Sequence, residues 1–361
     1  MKIGGGLARR IAGWAVGTAA LAILVWAVLH FGDLQAFGLL MRQAQPEWLI
    51  AAIALQASTY ISVSLGWRAV LSRAGNPQPL RRLLSIAISK LFADQMIPAA
   101  GMGGNMLLVE RLVELGTQRG TAVAVLLVSM IGFYAVYAVL AVVMLLLLWL
   151  DGRANLLITA FVAIFLLVAI AIPSFALWLR RRGSHPLSPL LERIPLVRTL
   201  LRIVGEAPGD IVGDRHLILC VSAFNGLVFL ADAGTMMTCL RALGQHVGYG
   251  TAFIAVISAS MVVTLGPIPM GLGSFEASST GTLHLLGVPL EVALAAALLF
   301  RAFTLWLPLL PGLISMRSLF GGRTCQAAPL PSPARSKRQG VSDVRDDHED
   351  SRSTAGSNRA P

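Results

Sequence analysis

Long uninterrupted runs of apolar side chains constrain this sequence more than any other feature. Six of them reach or approach the ~20 residues that an α-helix needs to cross the hydrocarbon core of a bilayer. They cover residues 11–31, 48–66, 121–150, 156–179, 216–240 and 292–316. The 361-residue chain is 56% hydrophobic and only 13% charged, whereas about a quarter of the residues of a soluble domain carry charge. We therefore expect an all-α, polytopic membrane protein with about six full spans.

The first apolar run also admits a second interpretation, because basic residues such as Lys2, Arg9 and Arg10 precede it as they precede a removable signal peptide. A membrane span is preferred, since the run is longer than a signal core and no small-residue cleavage pattern follows it. The chain has 3 cysteines. They are too sparse to indicate a disulfide framework or a zinc site, so we expect neither a metal nor a cofactor.

Positive charge is concentrated on one side of the predicted spans. The formal net charge is +11, and the basic residues cluster at 8–10, 68–82, 180–215 and beyond 317. The opposite side has only Arg42, Arg153 and Arg241 near its span ends. The positive-inside rule then predicts that both termini and the 180–215 loop lie in the cytoplasm. The expected location is a bacterial inner membrane. The basic loops would contact anionic lipid headgroups, and no nucleic-acid partner is expected.

Two similar stretches, "IPAAGMGGN" from Ile97 and "IPMGLGSFE" from Ile268, interrupt this pattern. Pro98 and Pro269 are 171 residues apart, and each is followed 18 residues later by the glycine of a Leu-x-x-Leu-Gly ending. Proline removes a backbone donor and glycine permits reversed conformations. With the predicted orientation, each stretch becomes the tip of a re-entrant helical hairpin. The alternative is that proline and glycine only kink ordinary spans.

The two halves are expected to form an inverted repeat. The 171-residue shift that aligns the breaks also superposes the span at Trp48 on the span near Leu219, and their predicted directions are opposite. Inverted repeats with discontinuous helices are typical of transporters, which bind their substrate near the bilayer midplane. We divide the chain into a transmembrane domain, 1–320, with halves 11–150 and 154–318, and a disordered cytoplasmic tail, 321–361.

The breaks also predict a binding site. Irregular backbone at membrane depth is tolerated only where protein buries it or where it lines a wet cavity, and exposed helix N-termini attract anionic groups. Ionisable side chains at such depth usually face a pathway. The predicted ligand-binding residues are Lys90, Asp94, Pro98, Gly101, Gly103, Gly104, Asn105, Asp232, Pro269, Gly271, Gly273, Glu276 and Arg301. No catalytic residue is predicted.

Several of these residues have a second interpretation. Lys90 and Asp94 are four positions apart and can pair on a helix face, or they are solvated at the interface. Arg301 would neutralise a headgroup phosphate, or it would form a structural ion pair with Asp232 or Glu276. Asp232 would take part in proton coupling, or it would be a hydrogen-bonded structural acid.

The C-terminal block "IPMGLGSFEASSTGTLHLLGVPLEVALAAALLFRAFTLWLPLLPGL" resembles the lysylphosphatidylglycerol synthase transmembrane region, a flippase-like family of membrane proteins of the UPF0104 type. Pro269, Gly271, Gly273, Glu276 and Arg301 match the family's turn, acid and arginine. "GWRAVLSRAG" and "FADQMIPAAGMGGN" are similar to its first-half block, so the resemblance extends to about residue 318. Members of the family often have an acid after the first glycine pair and an arginine shortly beyond it, where this chain has Asn105 and Leu108. They also often have an arginine midway into the following span, where this chain has the uncharged "LVSMIGFY".

The resemblance implies a membrane protein that handles lipids. In the multiple peptide resistance factor, such a membrane domain accompanies a soluble transferase that aminoacylates phosphatidylglycerol. We expect this chain to lack that domain and to have no enzymatic activity. The leading hypothesis is a flippase for a phospholipid or a polyprenyl-linked lipid with an anionic headgroup. The alternatives are a non-transporting membrane partner of a glycosyl- or aminoacyltransferase and a lipid-dependent transferase.

Overall fold

The structure is a computed structural model that describes residues 45–96, 102–182, 208–266 and 271–307. These residues form ten α-helices and no strand. The helices are α1 (Pro46–Arg73), α2 (Leu80–Met96), α3 (Met102–Glu114), α4 (Arg119–Leu150), α5 (Leu156–Arg182), α6 (Gly209–Val212), α7 (Arg215–Ala242), α8 (Tyr249–Leu265), α9 (Ser274–Leu285) and α10 (Leu290–Arg301), and a π-helical turn (Ala302–Trp306) follows α10. The predicted all-α fold class is confirmed.

Four of the helices are long and apolar enough to cross a membrane: Pro46–Arg73, Arg119–Leu150, Leu156–Phe175 and Arg215–Ala242. They correspond to four of the six predicted spans. The predicted span 11–31 lies outside the described residues, as do the loop 183–207, the end of the sixth span and the tail 321–361. The division into a transmembrane domain and a tail therefore stays a prediction.

The outer surface of the helices is apolar. On α5 the side chains of Leu156, Ile164 and Leu167 are 86%, 57% and 71% exposed. An exposed apolar surface of this size is rare on soluble proteins, whose contiguous apolar patches are small. Lipid tails cover it without cost. The protein is a multi-pass membrane protein.

Four consecutive helices occur twice along the chain. Shifting the bounds of α1, α2 and α3 by 171 residues places them within two residues of the bounds of α7, α8 and α9. The same shift brings Arg119, the first residue of α4, onto Leu290, the first residue of α10. The two halves of the protein are thus built from the same series of elements.

The repeat counterparts α1 and α7 pack side by side in opposite directions. The backbone N–H of Gln45, just before α1, donates to the carbonyl of Ala242 at the end of α7 over 3.0 Å. At the other end of the pair, Arg73 Nε donates to Asp214 Oδ2 over 3.1 Å. A helix and its counterpart therefore run antiparallel, as an inverted-topology repeat requires.

Each repeat contains a helical hairpin. The first hairpin is α2 and α3, and the second hairpin is α8 and α9. At the base of the first, Gln78 Nε2 donates to the carbonyl of Leu115 over 3.4 Å. In the second, the hydroxyls of Ser258 and Thr282 lie 3.1 Å apart. The four arms have 17, 13, 17 and 12 residues, fewer than the ~20 that a span needs.

The hairpins enter the helix bundle from opposite ends. The first follows the C-terminal end of α1 and the second follows the C-terminal end of α7, and these ends are at opposite ends of the antiparallel pair. The turn between α4 and α5 lies with the second hairpin, because Arg153 Nη1 donates to the carbonyl of Leu285. Each hairpin buries an equivalent leucine, Leu112 or Leu283, at 0% exposure.

Glycines allow the long helices to approach closely. A Cβ on Gly132 of α4 would lie 3.1 Å from the backbone nitrogen of Ser222 on α7, and a Cβ on Gly234 of α7 would lie 3.2 Å from Leu55 Cδ1 of α1. Small residues at such crossings are a usual device of membrane helices, since association in lipid depends on close packing rather than on the hydrophobic effect.

Candidate functional site

The predicted breaks fall at the two hairpin tips. In the first hairpin α2 ends at Met96 and α3 begins at Met102, and in the second α8 ends at Leu265 and α9 begins at Ser274. Pro98, Gly101 and Pro269 lie outside the described residues. The remaining ten predicted site residues are described. They fall into three clusters, one in each hairpin and one between α1 and α7.

The first cluster joins Lys90 and Asp94 to the start of α3. Lys90 Nζ donates to Asp94 Oδ2 over 2.7 Å, so the two side chains pair as their spacing predicts. Asp94 Oδ1 also accepts from the backbone N–H of Gly104 over 2.9 Å. This contact requires glycine, because a Cβ at 104 would stand 2.4 Å from the same oxygen. The carboxylate thus satisfies a helix N-terminus and an ammonium group together.

The second cluster joins Glu276 and Arg301 to the start of α9. Glu276 Oε2 accepts from the backbone N–H of Gly273 over 2.7 Å, as in a capping box. Its other oxygen, Oε1, accepts from Arg301 Nε over 2.8 Å. The two side chains are only 3% and 13% exposed. Of the two interpretations of Arg301, the ion pair is therefore present, and its partner is Glu276.

An aromatic ring lies against the guanidinium of this second cluster. Arg301 Cζ lies 4.9 Å from the centroid of the Phe275 ring, within the range of a cation–π interaction. Phe275 in turn stacks on Phe300, with centroids 5.3 Å apart. The guanidinium is held between a carboxylate and a ring face, so its position is fixed by α9 and α10 together.

Both hairpins have a carboxylate at the N-terminus of the second arm, but the acid comes from a different position in each. In each, a carboxylate binds a backbone N–H at the N-terminus of the second arm, where the helix dipole favours negative charge, and also binds a cation. The acid comes from the first arm in one hairpin, Asp94, and from the second arm in the other, Glu276. The repeat counterpart of Glu276 is Asn105, which is partly exposed.

Two glycines at the tip of the second hairpin adopt backbone conformations that favour glycine. Gly271 has a φ of +62° and Gly273 a φ of +81°, which are strained for residues with a side chain. A Cβ at 271 would also lie 2.5 Å from a methyl group of Val263. In the first hairpin, Gly103 lies in the first turn of α3 and is partly exposed.

The third cluster surrounds Asp232 on α7. Asp232 Oδ1 accepts from Gln56 Nε2 of α1 over 2.9 Å, and the same amide nitrogen lies 3.1 Å from Thr235 Oγ1. Gln56 is 4% exposed and was not predicted as a site residue. A lone carboxamide within an apolar span was the available signal. Asn225, which is also on α7, donates from its side-chain amide to the carbonyl of Val221 on the same helix.

No hydrogen bond or ion pair between described residues joins the three clusters to one another, or the first hairpin to the second. Chemically, each hairpin tip offers a cation beside a helix N-terminus, which is a setting for anions. A carboxylate already occupies that setting in both cases, so an incoming anion would compete with Asp94 or Glu276.

Comparison with known proteins identifies the family. The pattern of the family described as the lysylphosphatidylglycerol synthase TM region matches residues 11–312. A relative named UPF0104 membrane protein, from Methanothermobacter thermautotrophicus, is 28% identical over 128 residues. The aligned part covers 33% of this chain and 38% of that relative. With the matched region spanning most of its length, the chain belongs to the lysylphosphatidylglycerol synthase TM region family.

Proposed function

We propose that this protein binds the anionic headgroup of a phospholipid or of a polyprenyl-linked lipid between its two hairpins and moves the lipid across the bilayer. The observation that carries this proposal is the pair of hairpins that enter from opposite ends of an inverted repeat, each with a cation beside a helix N-terminus. Transporters with inverted repeats bind their substrates at discontinuous helices of this kind and alternate by moving one repeat against the other.

Arg301 is the group best suited to the headgroup phosphate. A guanidinium binds a phosphate through two parallel hydrogen bonds, as it binds a carboxylate. Because Glu276 now occupies Nε, a phosphate would exchange with that carboxylate, which keeps its second bond to the Gly273 amide. Binding would thus be coupled to a change at the second hairpin tip. Lys90 and the amide of Gly104 offer the corresponding groups in the first hairpin.

The remaining polar groups would line the path. Asp232, Gln56 and Thr235 form a hydrogen-bonded cluster within the apolar helices α1 and α7. Polar side chains at this depth are expensive and usually mark a substrate or ion path. A lipid headgroup crossing the bilayer needs such groups, since leaving its phosphate in hydrocarbon would be far more costly.

Transport rather than synthesis is the proposed activity, although the family name includes a synthase. The carboxylates of Asp94 and Glu276 are each engaged by a cation and a helix N-terminus, which suits binding better than general-base chemistry. A transferase would need a base that is within reach of an acceptor. Lysylphosphatidylglycerol is one lipid to test, since it carries a phosphate together with cationic groups that carboxylates can bind.

The proposed location is a bacterial inner membrane, with both termini in the cytoplasm. Arg73, Arg81 and Arg82 lie where α1 ends and the first hairpin begins, whereas Arg153 and Arg241 lie at the base of the second hairpin. The base of the first hairpin is therefore the more basic end of the molecule. Under the positive-inside rule this end faces the cytoplasm.

Reconstitution into liposomes tests the proposal. Fluorescent phosphatidylglycerol, lysylphosphatidylglycerol and a polyprenyl phosphate would be compared for transbilayer movement with wild type, Arg301→Ala, Arg301→Lys and the control Gly281→Ala. A Cβ at 281 meets nothing within 4 Å, so this variant should behave as wild type. Loss of a hydrogen bond to a charged phosphate is worth ~1.5 to 3 kcal/mol. Arg301→Ala should therefore slow translocation about 10- to 100-fold.

Two results would overturn the proposal. The first is wild-type protein that accelerates none of the three lipids, which would favour the docking of a transferase. The second is Arg301→Ala that is monodisperse and as fast as wild type. Arg301→Lys retains a cation without the planar fork, so intermediate rates would indicate that charge and geometry both contribute.

A further inference from the structure

A polar cluster lies between the repeat counterparts α1 and α7, well inside both helices. Asp232 is ten residues before the end of α7, and its partner Gln56 is ten residues after the start of α1. The start of α1 lies beside the end of α7, where Gln45 bonds Ala242. At 1.5 Å per residue, the carboxylate lies ~15 Å from this end of the pair, whose two helices are each ~42 Å long. A ~30 Å hydrocarbon core centred on the pair would therefore enclose it.

Among the described residues, Asp232 differs from the other two site acids in that no cation binds it. Asp94 binds Lys90 and Glu276 binds Arg301. In the part of the chain that the structure describes, the side chain that donates to Asp232 is the neutral carboxamide of Gln56. An uncompensated carboxylate in apolar surroundings is costly, and the usual resolution is that it takes up a proton.

Gln56 suits a carboxyl group that changes its protonation state. A carboxamide has both a donor and an acceptor, so it can donate to a carboxylate and, after rotation, accept from a carboxylic acid. Thr235 Oγ1 accepts from the same amide nitrogen over 3.1 Å and donates to the carbonyl of Ala231 over 2.9 Å. Arginine or lysine at position 56 would instead hold the acid permanently charged.

The surrounding titratable groups leave this role to Asp232. Tyr60 of α1 and Tyr249 of α8 lie near enough to interact electrostatically with it. On α4, Tyr137 packs against Phe229 of α7, and on α10 the guanidinium of Arg301 is bonded to Glu276. Tyrosine is neutral at physiological pH, so none of the tyrosines supplies a compensating charge.

The cluster also lies where a transport motion would act. α1 and α7 are the counterpart helices of the two repeats, and the Asp232 to Gln56 bond crosses between them. Movement of one repeat against the other would shear this contact and change the side from which water reaches the carboxyl group. The side chain of Asp232 is partly exposed in the present arrangement.

We infer that Asp232, held by Gln56, is a proton-binding site that couples lipid movement to a proton gradient. The carboxylate takes one proton from water on one side when the repeats expose it there, and the neutral acid returns that proton to water on the other side. No bond other than the O–H bond forms or breaks. This inference rests on the proposed lipid transport, and it names the ion that drives it.

The experiment uses full-length protein in liposomes with an imposed pH difference. The three lipids named above would be followed with wild type, Asp232→Asn and the control Asn225→Ala, whose amide bonds its own helix. One pH unit is a tenfold difference in proton concentration, so coupling to one proton supports up to about a tenfold difference in lipid concentration between the two leaflets. Wild type and Asn225→Ala should respond to the gradient. Asp232→Asn should lose the response while retaining slow, gradient-independent exchange.

A second readout does not depend on transport. Infrared difference spectra of the detergent-purified proteins across mildly acidic to mildly alkaline pH should show a titrating carboxylic acid in wild type and Asn225→Ala. That band should be missing in Asp232→Asn. If no lipid moves but the band titrates, the transport proposal fails while the proton site stands. A gradient response in Asp232→Asn, a band that never titrates, or acceleration by sodium in place of protons would overturn the inference.

Discussion

Arg301 Nε donates to Glu276 Oε1 over 2.8 Å, and this ion pair is the most shielded one among the described residues, with side chains 13% and 3% exposed. It fixes the second hairpin to α10, because Glu276 also accepts from the amide of Gly273, the residue just before α9. The corresponding pair in the first hairpin, Lys90 and Asp94, is 25% and 22% exposed. The two hairpins therefore have similar chemistry and unequal access to solvent.

Removing the guanidinium of the buried pair should destabilise the protein strongly. Arg301→Ala leaves the Glu276 carboxylate shielded and uncompensated, and breaking a buried pair in this way costs about 3 to 5 kcal/mol. The double variant Arg301→Ala with Glu276→Gln should recover part of the loss, since it removes the isolated charge while keeping an acceptor for the Gly273 amide. Unfolding by SDS in micelles measures both free energies.

Lys90→Ala is the matched comparison for this prediction. Its ion pair is about a quarter exposed, and pairs near solvent are worth at most ~1 kcal/mol. A loss as large as that of Arg301→Ala would show that the two hairpins are equally shielded. Failure of Glu276→Gln to recover any stability would show that Arg301 acts through contacts other than the carboxylate.

The sequence alone predicted the features that depend on local spacing. Apolar runs of sufficient length predicted the four described spans, and the Pro/Gly clusters predicted where α2, α3, α8 and α9 end and begin. Lys90 and Asp94 were predicted to pair because four positions separate them on one helix. Each of these inferences uses only residues close together in the chain.

The partners that the sequence could not choose are distant in the chain. Arg301 had two candidate acids, and only packing of α10 against α9 selects Glu276, 25 residues away. Gln56 binds Asp232 across 176 residues, which no helical periodicity indicates. The contact of Gly104 with Asp94 likewise requires the two arms of the first hairpin to be in place.

Alanine at position 104 should disrupt the first hairpin. Its Cβ would lie 2.4 Å from Asp94 Oδ1, so the carboxylate must move and give up the Gly104 amide. Overpacking of this kind costs ~1 to 3 kcal/mol. Gly281→Ala, in the second arm of the other hairpin, meets nothing within 4 Å and should instead gain ~0.5 to 1 kcal/mol from helix propensity. Thermal unfolding in detergent should shift in opposite directions for the two variants. Equal shifts would contradict the close contact.

Substitution of Gly271 by alanine should destabilise the protein in two ways, through backbone strain and through a steric clash. Alanine there must adopt a φ of +62° and must displace the Val263 side chain, whose Cγ2 lies 2.5 Å from the Cβ position. The backbone strain is worth ~1 to 2 kcal/mol. Adding Val263→Ala should relieve the steric part and leave the backbone part. Gly287→Ala has a φ of +100° with nothing within 4 Å, so it measures backbone strain alone. A double variant no more stable than Gly271→Ala would exclude the clash.

Asp214 should make the junction of α1 and α7 sensitive to acid. The backbone amide of Leu217 and the side chain of Arg73 hold the pKa of this carboxyl below its usual value. A lower pKa in the folded state means that the stabilisation is complete above the usual Asp value of about 3.9 and is lost as the pH falls through the folded value. Asp214→Asn should therefore unfold at a lower temperature than wild type at neutral pH and converge with it in strong acid.

Asp214→Ala should be less stable than Asp214→Asn at neutral pH, because asparagine still caps α7 at the amides of His216 and Leu217. Arg73→Gln leaves the cap intact and should retain most of the acid sensitivity, since the Leu217 amide is the larger cause of the shift. Thermal midpoints measured from neutral to acidic pH test all three variants, and parallel curves for wild type and Asp214→Asn would contradict the prediction.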